Sequence, residues 1–292
     1  MTEPQFTAAA SATLEVRPAA ASDREKISTL IFLEPHLHRH LDWRGPLDWL
    51  GYSPYWVLQE GERILGALAC APDPESVAWI RLFVFTAQMS GEQAWRLLWS
   101  PARTQLAEIG GVTAAAIATQ RWLDPILIQS GFDLDGHIVL LERDDVHRPQ
   151  VRIPAGIAIR SLTAEDLPKV VQVDAAAFEP LWRNSLEALT KAFMQASYAT
   201  IAEDTSGAIG YQLSTSSAFG THLARLAVNP RAQRRGLGAA LVADLIAHLP
   251  PDDEVRVTVN TQANNAASLA LYHRLGFRRT GERYPVYTNE VH

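Results

Sequence analysis

One cysteine in 292 residues, Cys70, leaves no internal disulfide to build, which excludes the small secreted folds held together by cysteine frameworks. Long apolar runs are missing too, and a bilayer span needs about 18 such residues in a row. The start, Met1-Thr-Glu-Pro, has neither the basic residues nor the apolar core of a secretory signal, so the expected location is the cytoplasm. There is no basic excess: 26 Lys and Arg stand against 32 Asp and Glu, a net charge of −6, which argues against nucleic acid as a partner. What is present is 47% apolar and 20% charged residues, the composition of a folded soluble protein, over a length comfortable for two domains.

The chain repeats one plan at an offset of 143 to 145 residues. Leu14-Glu-Val-Arg17 with Asp23 matches Ile157-Ala-Ile-Arg160 with Asp166, each an alternating strand followed by a helical pattern. Tyr55 to Gly66 matches Tyr198 to Gly210 as a hairpin, and Arg81-Leu-Phe-Val84 matches Arg225-Leu-Ala-Val228. Ile128-Gln-Ser-Gly-Phe132 matches His273-Arg-Leu-Gly-Phe277, glycine standing where a helix stops and a strand begins. The stretch Asp144 to Gly156, with Pro149 and Pro154, reads as the linker. Seven of the eight tryptophans (43, 49, 56, 79, 95, 99 and 122) lie in the first copy, which predicts an aromatic-rich core there.

The stretch Val228-Asn-Pro-Arg-Ala-Gln-Arg-Arg-Gly-Leu-Gly-Ala-Ala-Leu241 carries the chemistry. A strand end runs through a basic turn into a helix with Leu237, Leu241, Val242, Leu245, Ile246 and Leu249 on its apolar face, ended by Pro250-Pro251. Gly236 and Gly238 let backbone N–H groups approach phosphate oxygens, the helix dipole points its positive end at the anion, and Arg231, Arg234 and Arg235 add charge. Glu254 to Val259 alternates as a strand, and Asn264-Asn265 caps a helix through Leu269, Tyr272 and Leu275. The three-glycine dinucleotide fingerprint and the phosphate loop with Gly-Lys-Ser/Thr are both absent. At an offset of 144 the first copy places Met89 at Gln233, Glu92 at Gly236 and Ala94 at Gly238, and a carboxylate there repels a phosphate.

Gln233-x-x-Gly236-x-Gly238 after Leu226-Ala-Val228, together with Asn265-Ala-Ala-Ser-Leu-Ala-Leu-Tyr272-His-Arg-Leu-Gly-Phe277, resembles the two signatures of the GNAT superfamily of acyltransferases, over about residues 156 to 288. The first copy resembles the same fold without its signatures. The resemblance implies an α/β protein, a mixed sheet with flanking helices, in two tandem GNAT-like domains. Residues 1–148 would form a degenerate module, structural or substrate-shaping, and residues 154–292 a catalytic one. It implies acetyl-CoA (coenzyme A) as acyl donor, with no metal, held by Leu226, Ala227, Val228, Gln233, Arg234, Arg235, Gly236, Leu237, Gly238, Ala239, Asn265 and Tyr272. The Val228 N–H is nominated for the thioester carbonyl and Tyr272 for the acid that protonates the departing thiolate. Leu127 replaces that tyrosine in the first copy.

An attacking amine must lose a proton. Where many relatives place glutamate this chain has His222, and at another such site Asn260. His222 is the expected base, and strand alternation predicts that it shares a face with Val228. Trp182 and Arg183 fall in the substrate loop, where packing and solvation are equally compatible with their types. His36, His38 and His40 supply no clear metal set and occupy the matching stretch of the first copy, where they could line a groove between modules. Cys70 reads as a buried small hydrophobe. The expectation is direct acetyl transfer to a primary amine, a small molecule or a protein N-terminus, by a monomer or homodimer; a non-catalytic acyl-CoA-binding sensor or interaction protein is the alternative.

Overall fold

The computed structural model describes residues 13–145, 147–250 and 256–292. Residues Met1 to Pro4, Pro251, and the first part of the strand expected from Glu254 lie outside them. The first copy runs β1 (Leu14–Pro18), α1 (Arg24–Leu33), β2 (Leu37–Arg39), β3 (Tyr55–Glu60), β4 (Arg63–Ala69), β5 (Val77–Trp79), β6 (Leu82–Phe85), α2 (Gly91–Ile109), β7 (Val112–Ile117), α3 (Leu123–Gln129) and β8 (Asp133–Arg143). The second runs β9 (Ala158–Ser161), α4 (Leu167–Ala177), α5 (Leu186–Gln195), β10 (Tyr198–Asp204), β11 (Gly207–Ser217), β12 (Gly220–Val228), α6 (Leu237–His248), β13 (Val257–Gln262), α7 (Ala266–Arg274) and β14 (Arg278–Val291).

The repeat extends to side-chain chemistry. Arg17 grips both oxygens of Asp23 at 2.7 and 2.8 Å, and Arg160 grips Asp166 at 2.6 and 2.8 Å. Each carboxylate also accepts a backbone N–H three residues upstream, from Ala20 and Thr163. The guanidinium hydrogen bonds hold both acids below the usual carboxylate range. Each pair pins the start of its copy's first helix to its first strand.

The sheets do not divide where the repeat does. One has the order β1-β3-β4-β6-β2 and the other β5-β7-β14-β8-β13-β12-β11-β10-β9. Thus β8 of the first copy pairs with β13 of the second, from Val257↔Arg143 to Gln262↔Ile138, while β14 of the second pairs with β7 of the first, from Val286↔Ile117 to Val291↔Val112. Each copy gives its last strand to the other. Val139 and Leu141 are buried among α6 and α7 residues, and Tyr287 and Val291 in the first copy's core. At roughly 1.5–3 kcal/mol for each large apolar side chain buried, the exchange fastens the copies into one structure.

The aromatic core expected in the first copy is present: Trp95 stacks on Trp99, and Phe83, Phe85, Trp122 and Phe132 pack around them. Trp43 and Trp79 instead face the second copy.

Candidate active site

A gap in the long sheet creates the site. Strand β12 pairs with β11 from Gly220 to Val228, but with its parallel neighbour β13 only at Thr221, His222 and Leu223. Beyond Leu223 the two strands diverge. Ala224 has no partner on β11, since Ser214 faces Leu223 and Leu213 faces Arg225, so it forms a bulge. The Asn229 N–H donates to Ile209 on β11, and alternation from there turns the N–H groups of Leu226 and Val228 toward the gap.

The bulge also corrects the expectation that His222 and Val228 share a face. Leu223, Leu226 and Val228 pack on the α6 side, whereas Ala227 belongs to the core beneath α4. His222 lies opposite Leu223, where its Nδ1 meets the Thr258 hydroxyl at 2.9 Å. One extra residue in the strand puts it and Val228 on different sides.

On the α6 side of the gap is a cleft of about 970 Å³, lined by Leu226, Ala227, Val228, Gln233, Arg234, Gly236, Leu237, Gly238, Ala239 and Asn265 among others. Arg235 is exposed on the same turn and outside this lining. Helix α6 starts at Gly236, which has φ of 88° and no side chain to cap the helix, so the first N–H groups open into the cleft. Arg234 holds φ of 60°, shaping the turn, and the Gln233 side-chain amide donates to the Val228 carbonyl at 3.0 Å. A Cβ on Gly238 would stand 3.2 Å from Leu271 Cδ2, so the glycine keeps the backbone close to α7 and the cleft floor clear. Asn265 caps α7 by accepting the Ser268 N–H at 3.0 Å.

Beside it lies a second cavity of about 440 Å³ between the two copies. The second copy supplies His222, Asn260, Tyr272, Trp182 and Arg183; the first supplies His40, Asp42, Trp43, Asp73, Trp79 and Arg81. Phe178, Trp182, Leu226, Gln262, Asn265 and Ser268 line both spaces, which therefore meet at the gap. Val228 lines the larger cleft alone.

Tyr272 is 4% exposed, and among the described residues its hydroxyl takes no hydrogen bond. Burial pushes its phenol well up, so it is protonated at neutral pH. Burial moves His222 the other way, below the usual histidine range, leaving a neutral imidazole. Arg183 donates to the Phe178 carbonyl at 3.0 Å. His40 stacks on Trp79 and lines the cavity, His36 stacks on Phe85, and His38 is buried with Nε2 on the Ile80 carbonyl. Cys70 is buried and burial raises its thiol pKa.

The first copy treats the same turn differently. Gly66 pairs with Phe85 as Gly210 pairs with Val228, so the offset at the strand ends is 143 (228 against 85); the helix caps are Ser90 and Gly236, an offset of 146. The first turn is three residues shorter. Ser90 therefore stands at Gly236 and Glu92 at Gly238, correcting the match of Met89 with Gln233, Glu92 with Gly236 and Ala94 with Gly238. Ser90 Oγ accepts the Gln93 N–H at 3.2 Å, closing the helix start that the second copy leaves open.

Residues 166–287 match the family model described as acetyltransferase (GNAT) domain. The match to a GNAT acetyltransferase domain thus covers most of the second copy. Mycothiol acetyltransferase of Clavibacter sepedonicus is 31% identical over 138 residues, covering 44% of this chain and 44% of that protein. The [ribosomal protein bS18]-alanine N-acetyltransferase of Salmonella typhimurium is 42% identical over 65 residues, 22% of this chain and 44% of that protein. The chain thus spans less than half the length of these curated relatives. Over nearly the whole chain the fold is that of a tandem GNAT protein from the clavulanic acid biosynthesis pathway, with a TM-score of 0.64 at 19% identity, covering 96% and 99% of the two chains. A GCN5-related N-acetyltransferase from Sphaerobacter thermophilus has a TM-score of 0.62 at 16% identity, covering 95% and 96%. Beside the GNAT domain, no helix among the described residues is long and apolar enough to cross a membrane.

Proposed function

We propose that this protein is an acetyl-CoA-dependent N-acetyltransferase that transfers acetyl directly to a small primary amine. The observation that carries the reading is the meeting of two cavities at the β12–β13 gap. One is floored by an uncapped helix start of anion-binding form; the other holds a protonated phenol and a neutral imidazole. The free N–H groups of α6 and the Arg234 guanidinium would hold a pyrophosphate, and the open edge of β12 would pair with an amide-bearing arm. Acetyl-CoA offers both groups and supplies the thioester.

Of the outward N–H groups, Leu226 lines both spaces, so it rather than Val228 is the nominated donor to the thioester carbonyl oxygen. Tyr272 would deliver the proton to the departing thiolate, its raised pKa keeping that proton available. His222, neutral at pH 7, would take the proton from the incoming ammonium, directly or through water. Among the described residues no activated nucleophile stands in the gap, so the reading is a ternary complex rather than an acyl-enzyme.

The size of the acceptor cavity and its wall of first-copy residues favour a small amine over a protein N-terminus. The similarity to a ribosomal-protein N-acetyltransferase supports a peptide N-terminus as second reading. Calorimetric titration of acetyl-CoA followed by thiol release with a panel of small amines and short peptides separates these. The reading expects binding and release driven by a small amine; release only with peptides selects the second. Binding without release from any acceptor identifies an acyl-CoA sensor and overturns both.

A further inference from the structure

The loop between α4 and α5, residues 178–184, forms a wall of both cavities, and one buried ion pair is tied to it at three places. Arg225 on β12 forks onto Asp174 of α4, Nε to Oδ2 at 2.8 Å and Nη2 to Oδ1 at 2.9 Å. The same Nη2 donates to the Trp182 carbonyl at 2.6 Å, and the guanidinium lies 3.6 Å over the Phe178 ring. Asp174 Oδ1 accepts the Asn184 N–H at 2.9 Å, and Oδ2 accepts the Tyr211 hydroxyl at 2.5 Å. Asp174 is fully buried and the Arg225 side chain is 15% exposed. The tip of the loop, Leu181 and Trp182, packs on first-copy residues Val77, Trp79 and Ala115.

The first copy shows what the fold itself requires at these positions. Strand register corrects the match of Arg81 with Arg225 by one residue: Leu82 stands where Arg225 does, and at the offset of the matching Arg–Asp pairs Ile31 stands where Asp174 does; both belong to one apolar cluster. Apolar packing therefore serves this fold at the position, and a buried ion pair is an expensive replacement unless its remaining hydrogen bonds are used. Here they hold the loop.

We propose that Arg225 is a positioning residue: with Asp174 it locks loop 178–184 between the two cavities and against Trp79, setting the wall that the acceptor amine meets. This rests on the acetyltransferase reading for the acceptor, but the lock itself does not. Lysine cannot reproduce the fork, so Arg225→Lys should free the loop while keeping charge. Tyr211→Phe removes another buried bond to Asp174 that has no link to the loop, and serves as the structural control.

The test is hydrogen exchange of the full-length protein across residues 178–184, beside the kinetics of wild type with whichever small amine it acetylates. Arg225→Lys is expected to raise loop exchange and the amine KM by about tenfold, with kcat changed less than KM. Tyr211→Phe should lower the melting temperature and leave KM and loop exchange near wild type. Wild-type protection of the loop in folded Arg225→Lys, or equal changes in Tyr211→Phe, overturns the proposal. Should Arg225→Lys not fold, Asp174→Asn is read by the same two measurements. If wild type turns over no amine, the functional reading fails while the exchange arm still decides the lock.

Discussion

Two turns at the same place in the same fold differ by three residues and a hydroxyl. In the second copy Val228 leads through seven residues to Gly236 and an open helix start; in the first, Phe85 leads through four to Ser90, whose side chain closes it. The Gln93 N–H, one of the groups that would face an anion, is instead satisfied by the Ser90 hydroxyl. Glu92 in the first turn of α2 adds repulsion to anything phosphorylated. A helix start binds anions only while it is left uncapped and the approach is long enough to wrap the ligand.

The largest expected effect comes from making the second copy resemble the first. Gly238→Glu places a carboxylate where Glu92 stands and a Cβ against Leu271, and should weaken acetyl-CoA binding by a factor on the order of 100 or more in calorimetry. Unchanged affinity would remove the helix start from the site.

Next in size is Tyr272→Phe, the loss of the proposed acid, where the first copy has Leu127. Turnover should fall roughly 10- to 100-fold, with the acetyl-CoA dissociation constant within a factor of about two. Equal turnover would end its role as acid.

His222 gives a smaller, pH-dependent signature. Its pKa is depressed by burial, so the base form is complete at neutral pH, and activity should fall only as pH drops below the ordinary histidine value of about 6.5. His222→Gln should flatten that acid limb in a pH profile of kcat/KM; a surviving limb would assign it elsewhere. The smallest effect is the reverse exchange: Ser90→Gly with Glu92→Gly should create no acetyl-CoA site in the first copy, because the turn stays three residues short. A second binding event in calorimetry would show that capping alone silences it.

Much of this was legible in the residues. The repeat, the Arg–Asp pairs behind it, the glycine turn and the place of Tyr272 follow from local pattern, because strands, caps and turns are set by neighbours along the chain. An offset of 144 does not hold through the turn before Glu92, because a turn three residues shorter leaves no mark on the patterns either side and shows only in strand register. Alternation alone puts His222 and Val228 on one face, and the bulge at Ala224, a single residue of sequence, reverses every side chain beyond it. The pairing of Arg225 with Asp174 is not legible in the residues because nothing in their 51-residue separation joins them.

The sequence by itself determined that there are two copies of one fold and that one of them retains an open phosphate-type turn, since those are local chemistry. The tertiary structure decided that the copies exchange their last strands and that Asp42, Trp43, Asp73 and Trp79 of the first copy wall a cavity shared with His222 and Tyr272 of the second. Strand exchange and a shared cavity depend on which edges meet in space, and the hydrophobic pattern of β8 or β14 fits either sheet equally well.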